Sequence, residues 1–290
     1  MRDAVQDFVE VREAERPCVI ALHCSLGSGR QWSKLAAALG PEVRLIAPDL
    51  AGYGSNPVSS DLPTTLAQEV EGLRGSLEAA KGPIHLVAHS YGAAIAFKIA
   101  TASPFSSRIR SLTMIEPILP TLLVESAADR RLHDRFQALR HELCQDLGKG
   151  SAMEAIDKFA DFWAGSGPRE PMPPAARVRM IEHAERLAFD FSAAFGEENP
   201  ANAASALRLP TLLFSGGQSP FMTQRIVQRL AAIMDGAEHR HLPDAGHMLP
   251  LTHTAAVNPE IIRHIARADA LAPRALAEAG QPLLSLAAWR

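Results

Sequence analysis

Residues 82–100, GPIHLVAHSYGAAIAFKIA, decide the fold. Residues 84–88 form an apolar run interrupted only by His85, short enough for a strand covered on both faces. At His89-Ser90-Tyr91-Gly92 the pattern switches to small residues that suit a helix, with Ile95 the one large side chain before Phe97. A strand that breaks directly into a helix holds its corner residue out at the edge of the sheet, and the first helical amides face any negative charge formed there. Ser90 stands at that corner and Tyr91 carries the first of those amides, so the stretch reads as a nucleophile elbow. Gly92, Ala93 and Ala94 let strand and helix approach closely. The pattern departs from G-x-S-x-G at its first position, where Ala88 keeps the corner small. A serine that merely caps a helix would look the same over five residues, so the rest of the chain must decide.

Outward from the elbow, short buried-strand patterns recur at residues 17–23 (PCVIALH), 43–48 (VRLIAP), 109–115 and 210–215 (PTLLFS), and a last short strand is expected at 239–242. Helical patterns separate them at residues 32–39, 61–80, 224–234 and 258–268. In the second of these, Thr65 with Gln68 makes a capping box ahead of the stripe Leu66, Val70, Leu73 and Leu77. Residues 5–13 alternate loosely and suit one edge strand or two short ones, and residues 271–290 are alanine-rich with a weak helical pattern. Strands alternating with helices, without internal repeats, point to a doubly wound, mostly parallel sheet. Between residues 118 and 206 the strand pattern vanishes. Leu132, Phe136, Leu139, Leu143 and Leu147 repeat at helical spacing, followed by Met153, Ile156, Phe159 and Trp163 and then Val178, Ile181, Ala184, Ala188 and Phe191. The expected organisation is a core of residues 1–117 and 207–290 carrying an all-helical lid at 118–206.

Composition narrows the function classes. With 47% hydrophobic and 21% charged residues in a chain of 290, a sizeable core can form. A net charge of -3 and no basic stripe argue against nucleic acid as a partner. The three cysteines, Cys18, Cys24 and Cys144, lack ligand spacing or an even count, so neither a zinc site nor a disulfide framework is expected. The start of the chain lacks the basic and apolar regions of a signal peptide, and no apolar run reaches membrane-spanning length, which together suggest a cytoplasmic protein. Residues 27–29 are glycine-rich but have neither the order of a dinucleotide loop nor the lysine of a P-loop, so no cofactor is expected. Oligomeric state stays open, a homodimer included.

Acyl-transfer chemistry needs a nucleophile, a base that reaches it, an acid that orients the base, and donors for the oxyanion. His247, in the loop Asp244-Ala245-Gly246-His247 after the last strand, is the candidate base, with Gly246 allowing the backbone to bend. His89 adjoins the serine and should point away from it in a structural role. At this point the residues resemble the α/β-hydrolase superfamily: His23-Cys24-Ser25 is similar to its HG-x loop, residues 49–55 (DLAGYGS) to D-x-x-G-x-G-x-S, and Gly246-His247 to its GH. The resemblance implies that the amide of Ser25 pairs with that of Tyr91 as the oxyanion hole, although Cys24 replaces the usual glycine. In most relatives an aspartate follows the strand matched by residues 210–215, and here that position is Ser219. Some members use a carboxylate after the preceding strand instead, which is Glu116 in this chain. A carboxylate ending so apolar a run needs a partner, and His247 is available. Asp244, Glu260 and Asp49 are the weaker alternatives.

The implied activity is a cofactor-independent serine hydrolase of a small or medium ester, amide or activated C–C bond. Aspartate at the elbow would instead have implied dehalogenase or epoxide-hydrolase chemistry. Cys24, Phe162 and Trp163 are expected to contact a partly apolar small-molecule substrate. Acyl transfer to another acceptor, perhydrolysis, and a ligand-binding protein that has lost catalysis are the alternatives, the last resting on the missing aspartate.

Overall fold

The computed structural model describes residues 17–41, 43–56, 62–167 and 173–279. Six strands, β1 (Cys18–Leu22), β2 (Arg44–Ile46), β3 (Ile84–His89), β4 (Ile109–Ile115), β5 (Thr211–Gly216) and β6 (Glu238–Leu242), form one parallel sheet in the order β2-β1-β3-β4-β5-β6. The alternation of side chains explains the unbroken apolar runs. Ile20, Leu22, Leu86 and Ala88 enter the core on one face, while Val19, Ala21 and Val87 enter a second cluster on the other. His85 is accommodated in a fully buried strand by a hydrogen bond between its Nδ1 and Ser111 Oγ at 2.8 Å, with Asp269 Oδ1 3.2 Å from Nε2 but outside hydrogen-bond geometry.

Helices cover both faces: α1 (Ser33–Ala38), α2 (Leu66–Gly72), α3 (Arg74–Ala79), α4 (Tyr91–Ala102), α5 (Ala127–Gly148), α6 (Ala152–Ala164), α7 (Pro174–Glu182), α8 (Arg186–Phe195), α9 (Pro200–Ala206), α10 (Phe221–Ile233), α11 (Leu249–Thr252) and α12 (Thr254–Ala279). Between β4 and β5 the described chain is helical, α5 to α9 after a 3-10 turn at Pro120–Leu123. Its interior is aromatic, with Phe136 meeting Phe162, Trp163, Phe191 and Phe195 at centroid distances of 5.4, 6.1, 5.1 and 5.4 Å.

Several boundaries differ from the sequence expectation. The single helix expected over 61–80 is two, α2 and α3. They meet at Leu73, whose amide is shared between the carbonyls of Glu69 and Val70, and glycines at 72 and 75 lower helix propensity there. Thr65 caps α2 by accepting from the Gln68 amide, but the Gln68 carboxamide accepts from the Thr64 amide at 2.9 Å rather than from that of Thr65. β2 is only three residues long, ending before Pro48. The helix expected at 258–268 is the middle of α12, which runs from Thr254 to Ala279. The edge strands expected at residues 5–13 lie outside the described residues.

The chain lays β2 on one side of β1 and then returns to place β3 on the other. That reversal opens a crevice beyond the C-terminal ends of β1 and β3, where open parallel sheets bind ligands. The residues that follow those two strands are His23-Cys24-Ser25 and Ser90.

Candidate active site

Ser90 occupies a backbone conformation, φ 56° and ψ -120°, that few non-glycine residues adopt. The strain is held by hydrogen bonds on both sides. The Ser90 amide donates to Ile115 O at 2.9 Å, and its carbonyl accepts from Ala93 and Ala94. Gly92 is required, though the close approach is to β1 rather than to the elbow's own strand. A Cβ there would lie 2.4 Å from His23 O and 2.8 Å from Leu22 O. This contact brings the start of α4 against the loop that follows β1.

Three candidates meet at the corner. His247 Nε2 lies 3.0 Å from Ser90 Oγ, and Nδ1 lies 2.6 Å from Glu116 Oε2. The hydrogen bonds assign the tautomer: Nδ1–H donates to the carboxylate, leaving Nε2 to accept from the serine hydroxyl. All three residues are buried, Ser90 at 4%, His247 at 5% and Glu116 at 0% exposure, so little water screens them. Glu116 directly follows β4 at a positive φ of 45°, and its second oxygen accepts from the Gly216 amide at 2.7 Å. Ser219 is also buried, and its hydroxyl has no hydrogen-bond partner among the described residues.

His89 turns away from the serine. Its Nε2 donates to the carbonyl of His247 at 2.9 Å, and its Nδ1 accepts from Gln31 Nε2 at 3.2 Å. Gln31 Oε1 in turn accepts from the Cys24 amide at 3.3 Å. One chain of hydrogen bonds thus fixes the loop after β1 and the backbone of the histidine loop together. Burial holds His89 well below the ordinary imidazole pKa and lowers His23 to about 4, so both stay neutral. Burial pushes the Cys24 thiol up to about 12, which removes it as a rival nucleophile at neutral pH.

Three amides of the loop after β1 are committed. Cys24 donates to Gln31, Gly27 to Cys24 O at 3.1 Å and Gly29 to Asp49 Oδ1 at 2.7 Å. The amides of Ser25 and Tyr91 have no protein acceptor among the described residues. The glycine-rich stretch at 27–29 is therefore tied to Asp49. Among the described residues no group of three or more His, Cys, Asp or Glu is placed to hold a metal ion, and no helix is long and apolar enough to cross a membrane.

A cavity of about 1270 Å³ opens over Ser90 and His247, with Cys24, Ser25 and Trp163 in its wall. Trp163 stacks on the His247 ring at 4.1 Å with 22° between planes. Phe162 does not reach the cavity wall. It faces the aromatic interior, 5.4 Å from Phe136, because neighbouring helical positions point in different directions.

The family model for the alpha/beta hydrolase family matches residues 19–260. The chain belongs to that family. Among curated proteins, this alpha/beta hydrolase is 35% identical over 166 residues to Lipase LipV of Mycobacterium tuberculosis, a match spanning 57% of this chain and 56% of the lipase. It is 26% identical to a haloalkane dehalogenase of Mesorhizobium japonicum, covering 89% of this chain and 87% of that one. Among solved structures, MenH from S. aureus shares the fold with a TM-score of 0.69 at 16% identity, covering 88% of this chain and 95% of that one.

Sequence reasoning missed Gln31 and a second buried network. Arg186, on α8, pairs with Glu69 and lies 3.1 Å from Asp190 Oδ1. Asp190 Oδ2 accepts from Tyr53 OH at 2.6 Å and Ser25 Oγ at 2.5 Å, and Glu69 Oε1 accepts from Tyr91 OH at 2.8 Å. The available signal was Arg186 and Asp190 four residues apart within the otherwise apolar RLAFDFSAAF.

Proposed function

We propose that this alpha/beta hydrolase cleaves a small or medium ester, amide or activated C–C bond through an acyl-enzyme on Ser90. The observation that carries the reading is the continuous hydrogen-bonded line from Ser90 Oγ through His247 to Glu116, with all three groups buried beneath one cavity. Ser90 Oγ attacks the carbonyl carbon as its proton passes to His247 Nε2, and the carbonyl electron pair moves onto oxygen. The amides of Ser25 and Tyr91 face that oxyanion. Collapse expels the leaving group, which takes the proton from Nε2. Water then adds by the same steps, releasing the acid and restoring Ser90. Glu116 holds the tautomer and stabilises the imidazolium, the role an aspartate would otherwise fill.

The likeness to a haloalkane dehalogenase does not extend to its substrate. A serine oxygen that displaced halide from an alkyl carbon would be left as an ether, which a base-activated water does not hydrolyse. The carbonyl reading needs no such step. The helices between β4 and β5 act as a lid whose Trp163 closes over the base, and the partly apolar wall suits an apolar acyl or alcohol group. A complete hydrogen-bonded line also argues against a binding protein that has lost its acid.

A fluorophosphonate probe tests the reading. Labelling should fall on Ser90 and disappear in Ser90→Ala, together with hydrolysis of a p-nitrophenyl ester. Undiminished labelling or turnover in the purified variant would show that the nucleophile lies elsewhere.

A further inference from the structure

We propose that Asp190, on a helix between β4 and β5, is a positioning residue for the oxyanion hole, fixing the Ser25 amide through the Ser25 hydroxyl. The inference rests on the proposed hydrolase reading and adds a residue 165 positions away to its machinery. A backbone donor serves catalysis only if it is held where the oxyanion forms, because misplacement by a fraction of an ångström weakens the bond in the transition state. Ser25 sits in a half-exposed loop, followed immediately by Leu26 at a positive φ of 59°. A leucine in that region is strained and persists only where the surroundings over-determine it. Asp190 supplies that restraint. Its Oδ2 accepts from Ser25 Oγ at 2.5 Å and from Tyr53 OH at 2.6 Å. On the other side of the Ser25 peptide, the Cys24 amide donates to Gln31 Oε1 at 3.3 Å.

The composition of the network favours positioning over stability. Two buried carboxylates, Glu69 and Asp190, share one guanidinium. A buried excess acid is costly, and an apolar replacement of similar volume would generally be at least as stable. What the charged set provides is direction: hydroxyl-to-carboxylate bonds are short and oriented. Arg186 fixes Asp190 from the other side, donating through Nε to Ala51 O at 2.8 Å and through Nη1 to Pro63 O at 3.2 Å. The loop carrying Ser25, the loop after β2 and helix α8 are thereby joined by hydrogen bonds to side chains of α8.

The test uses the full chain with Ser25→Ala, Ser25→Thr and Asp190→Asn, each with a melting curve. Ser25→Ala keeps the backbone amide but loses its tether. It should lower kcat on a p-nitrophenyl ester about 10-fold to 100-fold, less than the roughly 10²–10³ for deleting an oxyanion donor outright, with KM within about twofold. A trifluoromethyl ketone, which forms the tetrahedral oxyanion, should lose affinity by the same factor, while the corresponding alcohol should not. Ser25→Thr should restore kcat to within about threefold. Asp190→Asn should lower kcat in the wild-type background but add little to Ser25→Ala, since both act through one hydroxyl. Unchanged kcat and ketone affinity in Ser25→Ala overturn the proposal even if Asp190→Asn fails to fold, and so does a full, additive loss from Asp190→Asn in that background. Fluorophosphonate labelling separates the two levels. Ser90 labelled normally with Ser25→Ala indifferent refutes only the positioning role, whereas no labelling of Ser90 in the unsubstituted chain removes the hydrolase reading beneath it.

Discussion

Replacing Glu69 by glutamine should change how stability depends on pH, and the structure supplies the magnitude. Burial pushes the Glu69 carboxyl up from an ordinary 4.5 to about 7, with the Asp190 charge adding to the effect and Arg186 opposing it. An acid whose folded pKa is raised contributes its full stability below 4.5 and loses it as pH rises through about 7. The whole shift is worth about 3 kcal/mol, of which roughly 2.5 kcal/mol falls between pH 5 and pH 8. Buried histidines work in the opposite direction. His23 and His85 are both lowered by burial to about 4, so each costs stability as pH falls below 6.5, by about 2 kcal/mol each at pH 5. Burial also raises Asp190 to about 6, in the same direction as Glu69, so the variant should lose stability on acidification more steeply than the unsubstituted chain. The informative quantity is the difference in unfolding free energy, variant minus wild type, from urea titrations at pH 5, 6, 7 and 8. It should fall by about 2.5 kcal/mol from pH 8 to pH 5, or roughly 5–10 °C read as a melting temperature. A difference constant to within about 0.5 kcal/mol would refute the argument that Glu69 takes up a proton on folding.

Two further predictions concern the site. Glu116→Gln should leave the fold and substrate affinity intact but lower kcat by up to about 10⁴, because an amide can favour the wrong histidine tautomer; steady-state kinetics within about threefold of wild type would exclude Glu116 as the orienting acid. Trp163→Ala should change chain-length preference across a series of p-nitrophenyl esters, by on the order of 0.8 kcal/mol per methylene it covers, whereas Phe162→Ala, which removes a partly buried ring, should cost about 2 kcal/mol of stability and leave the preference unchanged. Equal preference changes in the two variants would contradict their different placement.

Legibility in the sequence followed the range over which each signal acts. The elbow was readable because strand, sharp turn and small-residue helix occupy one continuous stretch whose periodicity switches within a few residues. Buried strands were readable for the same reason, and β2 was overestimated because Pro48 ends pairing without ending the apolar pattern. Ser90, His247 and Glu116 all follow strand patterns in the sequence, and the fold brings them together. Gln31 and the Asp190 network were not readable in this way. Gln31 acts through hydrogen bonds to His89 and Cys24, 58 and 7 residues away, and a glutamine carries no pattern that distinguishes it from a surface residue. Phe162 and Trp163 shared one expectation because adjacent aromatic residues look alike in sequence, while 100° of helical rotation sends one to the cavity and the other to the interior.

The position of the acid follows from the sheet. β4 lies directly beside β3, with Ile115 in register with His89, so the residue after Ile115 stands next to the residue after His89. A carboxylate at 116 therefore follows the strand adjacent to the one that leads to Ser90, while one after β5 must reach from a strand further away. With Glu116 there, β5 supports its carboxylate: Gly216 donates its amide to Glu116 Oε1, and a side chain at 216 would lie 2.3 Å from Ala245 O in the histidine loop. The same glycine thus lets the His247 loop close on β5 and presents the amide that fixes the carboxylate. An acid at 219 is not needed for the line from Ser90 to Glu116 to be complete. The serine there is consistent with a site in which that requirement has moved one strand inward.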